Sequence, residues 1–237
     1  MAKLKTKTAF LCSVCGDDFP KWNGQCPSCK EWGTLSEFKV PAKKNGRKHE
    51  PRETKSLTDV LTANSGERIS TGLKEADRVL GGGILAGSLI LLGGSPGVGK
   101  STLALHIGSG INRKVLYISA EESEEQVALR ARRLHVNPDQ LFLSGENELD
   151  GIISHIDRIR PELVVIDSIQ TVMNSGLESL PGSPSQIRDC GQRLLEVSKQ
   201  KNVTILIVGH VTKDGTIAGP KMLEHMVDTV LYMEGDD

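Results

Sequence analysis

The sequence predicts an α/β fold with a mainly parallel central sheet, preceded by a small module that four cysteines hold together. Short apolar runs of strand length alternate with stretches of helical spacing through most of the chain, a pattern typical of parallel sheets covered by helices on both faces. The first 38 residues are too few to bury a core of their own, and they carry two close pairs of cysteines. A metal site is therefore the feature expected to organise that part.

Charge is distributed unevenly along the chain. The 237 residues have a net charge of −1, but the first 55 carry +6 and the remainder −7. We expect a four-cysteine module in residues 1–38, a basic linker in 39–56 and an α/β core in 57–237. Between Lys39 and Lys55 there are seven basic residues, two acidic residues and two prolines, which indicates a solvated segment whose charge could contact DNA.

No stretch of the sequence reaches the roughly eighteen apolar residues of a membrane span, and the start lacks the apolar core of a secretory signal. We therefore expect a cytoplasmic protein. Aromatic residues make up only 3% of the chain. Any contact with nucleic acid is accordingly expected to depend on charge and backbone amides more than on base stacking.

Two cysteine pairs of the form C-x-x-C, Cys12 with Cys15 and Cys26 with Cys29, are separated by ten residues. Each pair brings two thiolates to one side of a tight turn, and two such pairs close a tetrahedral four-sulfur site. Four thiolates leave no open coordination position, so the predicted role is structural. Zinc is the expected metal, with iron as the alternative.

Two tryptophans, Trp22 and Trp32, lie inside or just after the cysteine module. We expect them to pack over the metal site, and presentation to a partner is the alternative. The fifth cysteine, Cys190, lies on the apolar side of a predicted helix. It is expected to be a core residue and not a nucleophile.

The elements of the α/β core follow one another in order. A helix is expected from Leu73 to Leu80, ended by a run of three glycines. Helical patterns then separate the first five of six predicted strands. These strands are Ser88 to Leu92, Lys114 to Ser119, Leu141 to Leu143, Leu163 to Asp167, Thr204 to Gly209 and Thr229 to Met233. Ligands of such folds bind at the carboxyl ends of the strands.

The segment after the first of these strands fills every fixed position of the phosphate-binding loop pattern G-x-x-x-x-G-K-[ST]. Its glycines let backbone N–H groups turn towards a polyphosphate. Lys100 supplies a positive charge for the β- and γ-phosphates, and the Ser101 hydroxyl is placed to ligate Mg²⁺. The predicted nucleotide-binding residues are Gly94, Ser95, Pro96, Gly97, Val98, Gly99, Lys100, Ser101 and Thr102.

Further candidate residues follow other strands and are expected at the same edge of the sheet. Asp167 closes an apolar run in the form of a Walker B strand, whose carboxylate holds Mg²⁺. Glu121 is placed to polarise the attacking water, with Glu122 as the alternative. His210 could sense the γ-phosphate. The predicted catalytic residues are Glu121, Lys100, Asp167 and His210, and the predicted Mg²⁺ ligands are Ser101 and Asp167.

Two polar, glycine-containing loops follow the same strand ends, Met173 to Gln186 and Val211 to Pro220. Their position favours a role in coupling nucleotide hydrolysis to a polymer. The predicted DNA-binding residues in or near these loops are Arg188, Lys213 and Lys221. A cluster formed by Arg130, Arg132 and Arg133 is interpreted instead as the solvated face of a helix.

These residues together resemble bacterial RadA, also called Sms, a family of recombination and repair ATPases whose core is similar to RecA and to hexameric DnaB-type helicases. The phosphate-binding loop is one matching stretch. The others are Cys12–Cys15, Lys21–Cys29, Asp77–Gly83, Tyr117–Ser123, Val165–Thr171, Gly209–Lys213 and Leu223–Asp228. A four-cysteine finger followed by this core is far more specific than either part alone.

The resemblance implies a RecA-like P-loop ATPase core and an ATP-driven, ring-forming motor. Such a motor binds single-stranded or branched DNA and extends heteroduplex or migrates branches in homologous recombination. Glu121 then corresponds to the catalytic glutamate of RecA-like enzymes, His210 to their γ-phosphate sensor and the two loops to their DNA-binding loops. The implied cofactors are structural Zn²⁺ and Mg²⁺ with ATP. The implied partners are DNA, a homo-hexamer of the full-length protein, and recombinase or replication proteins.

The family also carries a Lys-Asn-Arg-Phe-Gly signature shortly beyond the core and then a Lon-protease-like domain. This chain stops at Asp237, before either of them. We therefore expect a truncated form whose helicase-like activity needs the missing carboxyl portion.

Three other functional classes remain as alternatives. A KaiC-like regulatory ATPase would act on protein partners without DNA translocation, and tandem glutamates such as Glu121 and Glu122 are compatible with it. A nucleotide kinase with a fused zinc ribbon would need a lid of arginines. A binding module would use the finger to recruit a partner while the ATPase stays silent.

Overall fold

The computed structural model describes residues 7–40, 54, 56–59, 66, 68–137, 139–177, 179–210 and 220–235. Most of the basic linker therefore lies outside the described residues. Within the described part, no helix is long and apolar enough to cross a lipid bilayer.

The amino-terminal module is a three-stranded antiparallel sheet in the order β2-β1-β3. Its strands are β1 (Lys7–Cys12), β2 (Asp18–Phe19) and β3 (Leu35–Val40). The first cysteine pair begins at the end of β1, and the second lies in the connection between β2 and β3. Two cysteines and Leu35 form the small buried centre of the module.

The core begins with a short antiparallel pair of strands and continues as alternating strands and helices. Its elements are β4 (Arg68–Ile69), α1 (Lys74–Val79), β5 (Ile84–Leu85), β6 (Leu89–Gly94), α2 (Lys100–Gly110), β7 (Val115–Ser119), α3 (Glu124–Arg133), β8 (Leu141–Ser144), α4 (Leu149–Ile159), β9 (Leu163–Asp167), α5 (Pro184–Lys201), β10 (Thr204–Val208), α6 (Pro220–Glu224) and β11 (Thr229–Met233).

The six-stranded sheet has the order β11-β6-β10-β9-β7-β8, and every neighbouring pair is parallel. The predicted α/β fold with a cysteine module is therefore confirmed. All six expected strands are present, and β6 runs two residues further than expected. The cause is the edge strand β11, in which Tyr232 and Met233 pair with Gly93 and Gly94.

Helices cover both faces of the sheet and bury a separate apolar cluster on each. One face packs against α4 and α5 through residues such as Ile152 and Leu194, and the other against α2 and α3 through Leu105 and Val127. Cys190 lies fully buried on α5, where burial raises the pKa of its thiol to about 12. A protonated, buried thiol is a core group, as expected from the sequence.

The cysteine module contacts the core beside α5 and α6. Arg188 of α5 forms an ion pair with Asp18 at 3.0 Å and donates a hydrogen bond to the carbonyl of Gly16 at 3.3 Å. A Cβ on Gly16 would lie 2.9 Å from Cγ of Met222 on α6, so glycine permits this close approach. Arg188, a predicted DNA-binding residue, is thus already engaged. Its contact with DNA stays a prediction.

The carboxylate of Asp77 in α1 organises the segment that precedes this helix. Ser70 Oγ donates to Oδ2 at 2.6 Å, while the Thr71 amide and hydroxyl donate to Oδ1 at 2.8 and 2.7 Å. These hydrogen bonds, first from Ser70 and then from Thr71, hold the pKa of Asp77 below its usual value. The ionised carboxylate therefore stabilises the folded state, and this contribution is lost as the pH falls through the folded-state pKa.

Replacement of Asp77 by Asn is expected to lower the Tm by a few degrees at pH 7, because the charged acceptor is lost. The difference from the unmodified chain should narrow as the pH falls below about 4, because the Asp77 carboxylate of the unfolded chain then takes up a proton, and it should vanish below the lower pKa of the folded state. Thermal unfolding between pH 7 and pH 3 measures both effects. Glu75→Gln, on the exposed face of the same helix, should change the Tm little. If the difference in Tm between Asp77→Asn and the unmodified chain stays constant with pH, the carboxylate does not stabilise the fold in this way.

Candidate nucleotide site

The phosphate-binding loop runs between the end of β6 at Gly94 and the start of α2 at Lys100. Gly94 is required because a Cβ there would lie 2.4 Å from the Met233 carbonyl oxygen of the neighbouring β11. Gly99 precedes the helix with a φ of +103°, in the left-handed region that favours glycine. The loop can therefore fold closely around a ligand at the amino end of α2.

Lys100 is folded back over this loop, with only 3% of the residue exposed. Its Nζ donates hydrogen bonds to the carbonyl oxygens of Gly94 and Ser95, both at 2.8 Å. Burial lowers the pKa of Lys100, while the negative charges of Asp167 and Glu121 act to raise it. The ammonium group thus lies within the loop and under the influence of both acidic residues.

The Asp167 carboxylate at the end of β9 is held by two hydroxyl groups. Ser101 Oγ donates to its Oδ1 at 3.1 Å, and the Tyr117 hydroxyl on β7 donates to its Oδ2 at 2.6 Å. Burial, and then the charge of Asp167, raise the pKa of Tyr117, so the phenol remains a donor. A serine hydroxyl and a carboxylate in contact supply the hard oxygen ligands that Mg²⁺ prefers.

The two adjacent glutamates after β7 face different partners. Glu121 Oε1 accepts a hydrogen bond from Ser168 and lies 3.4 Å from Nε2 of His210. Glu122 instead forms an ion pair with Arg130 on α3. Glu121 is therefore the member of the pair that adjoins the other predicted catalytic residues.

A capping box explains why α3 begins immediately after these glutamates. Ser123 Oγ accepts from the Gln126 amide at 3.3 Å, and the Gln126 side chain accepts from the Ser123 amide at 2.9 Å. Because the helix starts there, Glu121 and Glu122 stay on the short turn between β7 and α3. This turn presents both carboxylates at the carboxyl edge of the sheet.

The strand order explains how His210 reaches Glu121. Strand β10 pairs with β6 on one side and β9 on the other, so the residue after it lies between the phosphate-binding loop and Asp167. His210 Nδ1 is buried and has no hydrogen-bond partner among the described residues. The same holds for Oε1 of Gln170, whose Nε2 donates to the His210 carbonyl at 3.4 Å. Two polar atoms beside the site therefore remain available to a ligand or to water.

A cavity of about 490 Å³ opens beside the first turn of α2. It is lined by Thr102, Glu122, Gln126, Leu129, Arg130 and Arg133. The expectation that Arg130 is solvated is wrong, since its side chain is only 13% exposed and is held by the ion pair with Glu122. Arg132 and Arg133 are exposed as expected. The cavity begins one residue beyond Ser101, and it has room for the sugar and base of a nucleotide whose phosphates occupy the loop.

The four cysteines of the amino-terminal module converge on one point. Their Sγ atoms all lie within 4.8 Å of one another, and the Cys12–Cys29 and Cys15–Cys26 contacts are both 3.6 Å. Tetrahedral zinc with Zn–S bonds of about 2.3 Å needs sulfur atoms about 3.8 Å apart, so the cluster fits this metal. Although burial opposes ionisation of Cys12, hydrogen bonds from neighbouring backbone amides and Thr34 lower its pKa to about 6.

The tryptophans of this module do not pack over the metal site, so the expectation for them is wrong. Trp22 is 60% exposed and Trp32 is 74% exposed. The side chains that pack against the buried centre of the module include Phe10 and Phe19, and neither tryptophan is among them.

Several residues of the nucleotide site were missed at the level of sequence, among them Tyr117, Ser168 and Gln170. A signal existed for Tyr117, because a phenol within a fully buried strand needs a polar partner. Of the predicted DNA-binding residues, Lys213 lies outside the described residues, and Lys221 is placed only by its position in α6. The predicted nucleotide-binding and catalytic residues, by contrast, all lie at the same edge of the sheet.

Comparison with known families gives two matches. The family described as "AAA domain" matches residues 51–216, and the family described as "Rubredoxin metal binding domain" matches residues 10–37. The second match covers all four clustered cysteines and agrees with the sulfur geometry. The expected metal site of the zinc-ribbon type is therefore confirmed.

Curated relatives match the chain along its whole length. The DNA repair protein RadA of Listeria monocytogenes is 47% identical over 243 residues, which cover 100% of this chain and 53% of the relative. The DNA repair proteins RadA of Aquifex aeolicus and of Synechocystis are 47% and 42% identical, and the matches cover 98% and 100% of this chain and 52% and 53% of the relatives. The chain thus spans about half the length of these relatives.

A solved structure supports the fold assignment. The KaiC-like protein PH0186 from Pyrococcus horikoshii superposes with a TM-score of 0.57 at 19% identity. The match covers 70% of this chain and 81% of that protein. At this identity the likeness concerns the fold alone.

Proposed function

Because the chain belongs to the AAA domain family, among the RadA proteins, we propose that it hydrolyses ATP and couples this reaction to the binding of single-stranded DNA. The observation that carries the proposal is the convergence of four chemical groups at one edge of the sheet. A buried lysine, a serine–aspartate pair, a glutamate and a histidine meet there from four different strand ends. Nucleotide hydrolysis needs this combination of charge neutralisation, metal ligands and a base.

Lys100 would bind the β- and γ-phosphates once ATP displaces its hydrogen bonds to the loop carbonyls. Ser101 and Asp167 would hold Mg²⁺, which neutralises charge on the phosphates when it is bound. Glu121 would orient the attacking water and accept its proton, while Ser168 fixes the position of this carboxylate through a hydrogen bond. The cavity beyond Thr102 would take the sugar and base.

His210 is well placed to link the nucleotide to DNA. It lies beside Glu121 and directly precedes the glycine-rich segment 211–219, in which Lys213 lies. The presence or absence of a γ-phosphate would change the surroundings of His210 and so bias the segment that follows it. We propose that this segment, the loop Met173 to Gln186, and the side chains of Arg188 and Lys221 contact DNA.

The wider role follows from the curated relatives, which are DNA repair proteins. We propose that the full-length protein acts in the cytoplasm as a hexameric ring that extends heteroduplex or migrates branches during recombination. Recombinase or replication proteins would be its partners. The domain division at residues 38 and 56 is part of the same proposal.

The proposal is tested by ATP turnover with and without single-stranded DNA, in this chain and in a form extended beyond Asp237. We expect measurable turnover that rises with DNA, most strongly in the extended form. A Lys100→Ala variant controls for contaminating ATPases. Equal turnover in all four conditions would contradict a DNA-coupled function and favour a regulatory ATPase that acts on protein partners.

The Tyr117 hydroxyl should matter for metal binding, because it positions the Asp167 carboxylate. Tyr117→Phe is expected to raise the Mg²⁺ concentration for half-maximal turnover about 3- to 10-fold, since a hydrogen bond to a charged group is lost. ATP turnover measured over a range of Mg²⁺ concentrations gives this value. Tyr232→Phe, at the other tyrosine of the chain, is the matched control. If both variants need the same Mg²⁺ concentration as the unmodified chain, Tyr117 has no positioning role.

A further inference from the structure

The two tryptophans of the cysteine module flank one residue, Gly24. A side chain on Gly24 would begin 3.6 Å from Cζ3 of Trp32 and 3.7 Å from Cη2 of Trp22. Both atoms belong to the six-membered rings of the indoles. Both rings thus lie within van der Waals reach of the same point over the Gly24 backbone. We call the surface formed by Trp22, Gly24 and Trp32 the tryptophan slot.

The backbone around the slot is held in place by hydrogen bonds. The Gly33 amide donates to the Gly24 carbonyl at 2.8 Å, and Gln25 forms an antiparallel bridge with Trp32. The Gln25 side chain also donates to the Lys30 carbonyl at 2.8 Å. Gly24 and Trp32 therefore lie on paired segments of the second cysteine knuckle, which fixes the backbone that carries the Trp32 ring.

Two exposed lysines adjoin the slot in sequence. Lys21 precedes Trp22, and Lys30 lies two residues before Trp32. Neither lysine forms an ion pair with any residue that the structure describes. Glu31 is the acidic residue between Lys30 and Trp32, and it is also exposed. Exposed aromatic rings next to free cations are the combination by which proteins bind single-stranded nucleic acid.

We propose that the tryptophan slot stacks a base of single-stranded DNA, and that Lys21 and Lys30 neutralise the phosphates on either side of this base. A duplex does not fit this role, because its bases are already stacked on one another. The proposal rests on the proposed action on single-stranded DNA, but it assigns a contact site on the cysteine module and not on the loops of the ATPase core. It also departs from the expectation that contact with nucleic acid depends on charge and backbone amides more than on base stacking.

Intrinsic fluorescence tests the slot directly, because Trp22 and Trp32 are the only tryptophans in the chain. We expect a short oligothymidylate to quench this emission saturably at low salt, and added salt to weaken the effect. A duplex of equal length should quench less. Binding is measured in parallel by the anisotropy of a labelled oligonucleotide, and DNA-stimulated ATP turnover is recorded separately.

These readouts distinguish failure of the slot from failure of the proposed function. Oligonucleotide binding without quenching would overturn the slot, while stimulated turnover would still support the DNA-coupled ATPase. If neither the quenching nor the anisotropy shows binding, the proposed role of the slot is wrong, and the result also counts against DNA coupling. Quenching together with binding, but without stimulation of turnover, would support the slot and contradict the coupling.

Variants extend the test without relying on fluorescence. Trp32→Ala should weaken oligonucleotide binding about 5- to 100-fold, as expected for loss of one stacked base, whereas Trp32→Phe should retain most of the affinity. Gly24→Leu should act like Trp32→Ala, because its side chain fills the slot at a position whose φ lies outside the left-handed region. Lys21→Ala and Lys30→Ala should each lower the salt dependence of binding. The slope of the logarithm of the binding constant against the logarithm of the salt concentration should fall by about 1 in magnitude.

The zinc content of each variant shows whether the module remains folded. Unchanged zinc with weakened binding in Trp32→Ala and Gly24→Leu supports the proposal. If both variants keep zinc and bind the oligonucleotide as tightly as the unmodified chain, the slot does not take a base. The exposed tryptophans would then be assigned to a protein partner.

Discussion

Replacement of Glu121 by Gln is expected to lower the rate of ATP hydrolysis at saturating ATP by about 10²- to 10⁴-fold, the usual contribution of a general base. Glutamine keeps the shape of the side chain and can still accept a hydrogen bond from Ser168. It cannot accept the proton of the attacking water. Because Lys100, Ser101 and Asp167 are untouched, the affinity for ATP should change by less than about 3-fold, a difference under 1 kcal/mol.

Single-turnover hydrolysis together with equilibrium binding of a fluorescent ATP analogue separates these two effects. The matched control is Glu122→Gln, since Glu122 is the adjacent glutamate but is paired with Arg130. This variant should retain most of its hydrolysis rate. If Glu122→Gln loses the activity and Glu121→Gln keeps it, the assignment of the base is reversed.

Replacement of Cys26 by Ser is expected to remove the metal from the amino-terminal module and to unfold it. Cys26 is fully buried in a site of four sulfur atoms, and structural Zn²⁺ contributes about 10–16 kcal/mol in small zinc modules. A module of this size has little other source of stability. The ATPase core has its own apolar clusters and should remain folded.

Zinc content by elemental analysis should fall from about one atom per chain, the occupancy of a four-thiolate site, to near zero. Limited proteolysis should then remove the first residues while the core resists. Cys190→Ala is the control, because Cys190 is equally buried but lies on α5, away from the cluster. A Cys26→Ser chain that retains one zinc atom would show that Cys26 is not a ligand.

The strands and the phosphate-binding loop were accessible from the sequence because their signals are local. A buried parallel strand is a continuous apolar run, and Leu163–Asp167 was predicted from this signal with the bounds that the structure has. The bounds of Thr229–Met233, a partly buried strand at the edge of the sheet, also agree with the prediction. The loop pattern combines fixed glycines with Lys100 and Ser101, and each of these requirements is local as well. Alternation of strand and helix then implies the sheet edge where the site lies.

Contacts between distant segments were not accessible in this way. The hydrogen bond from Tyr117 to Asp167 depends on β7 and β9 being neighbours, which no local pattern records. Arg130 has the polar character of an exposed residue, and only its pairing with Glu122 explains its burial. The exposure of the two tryptophans likewise depends on which rings pack against the centre of the module, where Phe10 and Phe19 take that place.

The contact between the cysteine module and the core has a thermodynamic consequence. Among the described residues it includes the Arg188–Asp18 ion pair, one hydrogen bond to Gly16 and the packing of Gly16 against Met222, and the two parts share no cluster of buried apolar residues. So small a contact contributes little free energy, and salt weakens its ionic part. Covalent connection of the two parts favours association through a high effective concentration. Docking of the module is therefore expected to depend on the covalent connection more than on the contact itself, and to weaken as the ionic strength rises.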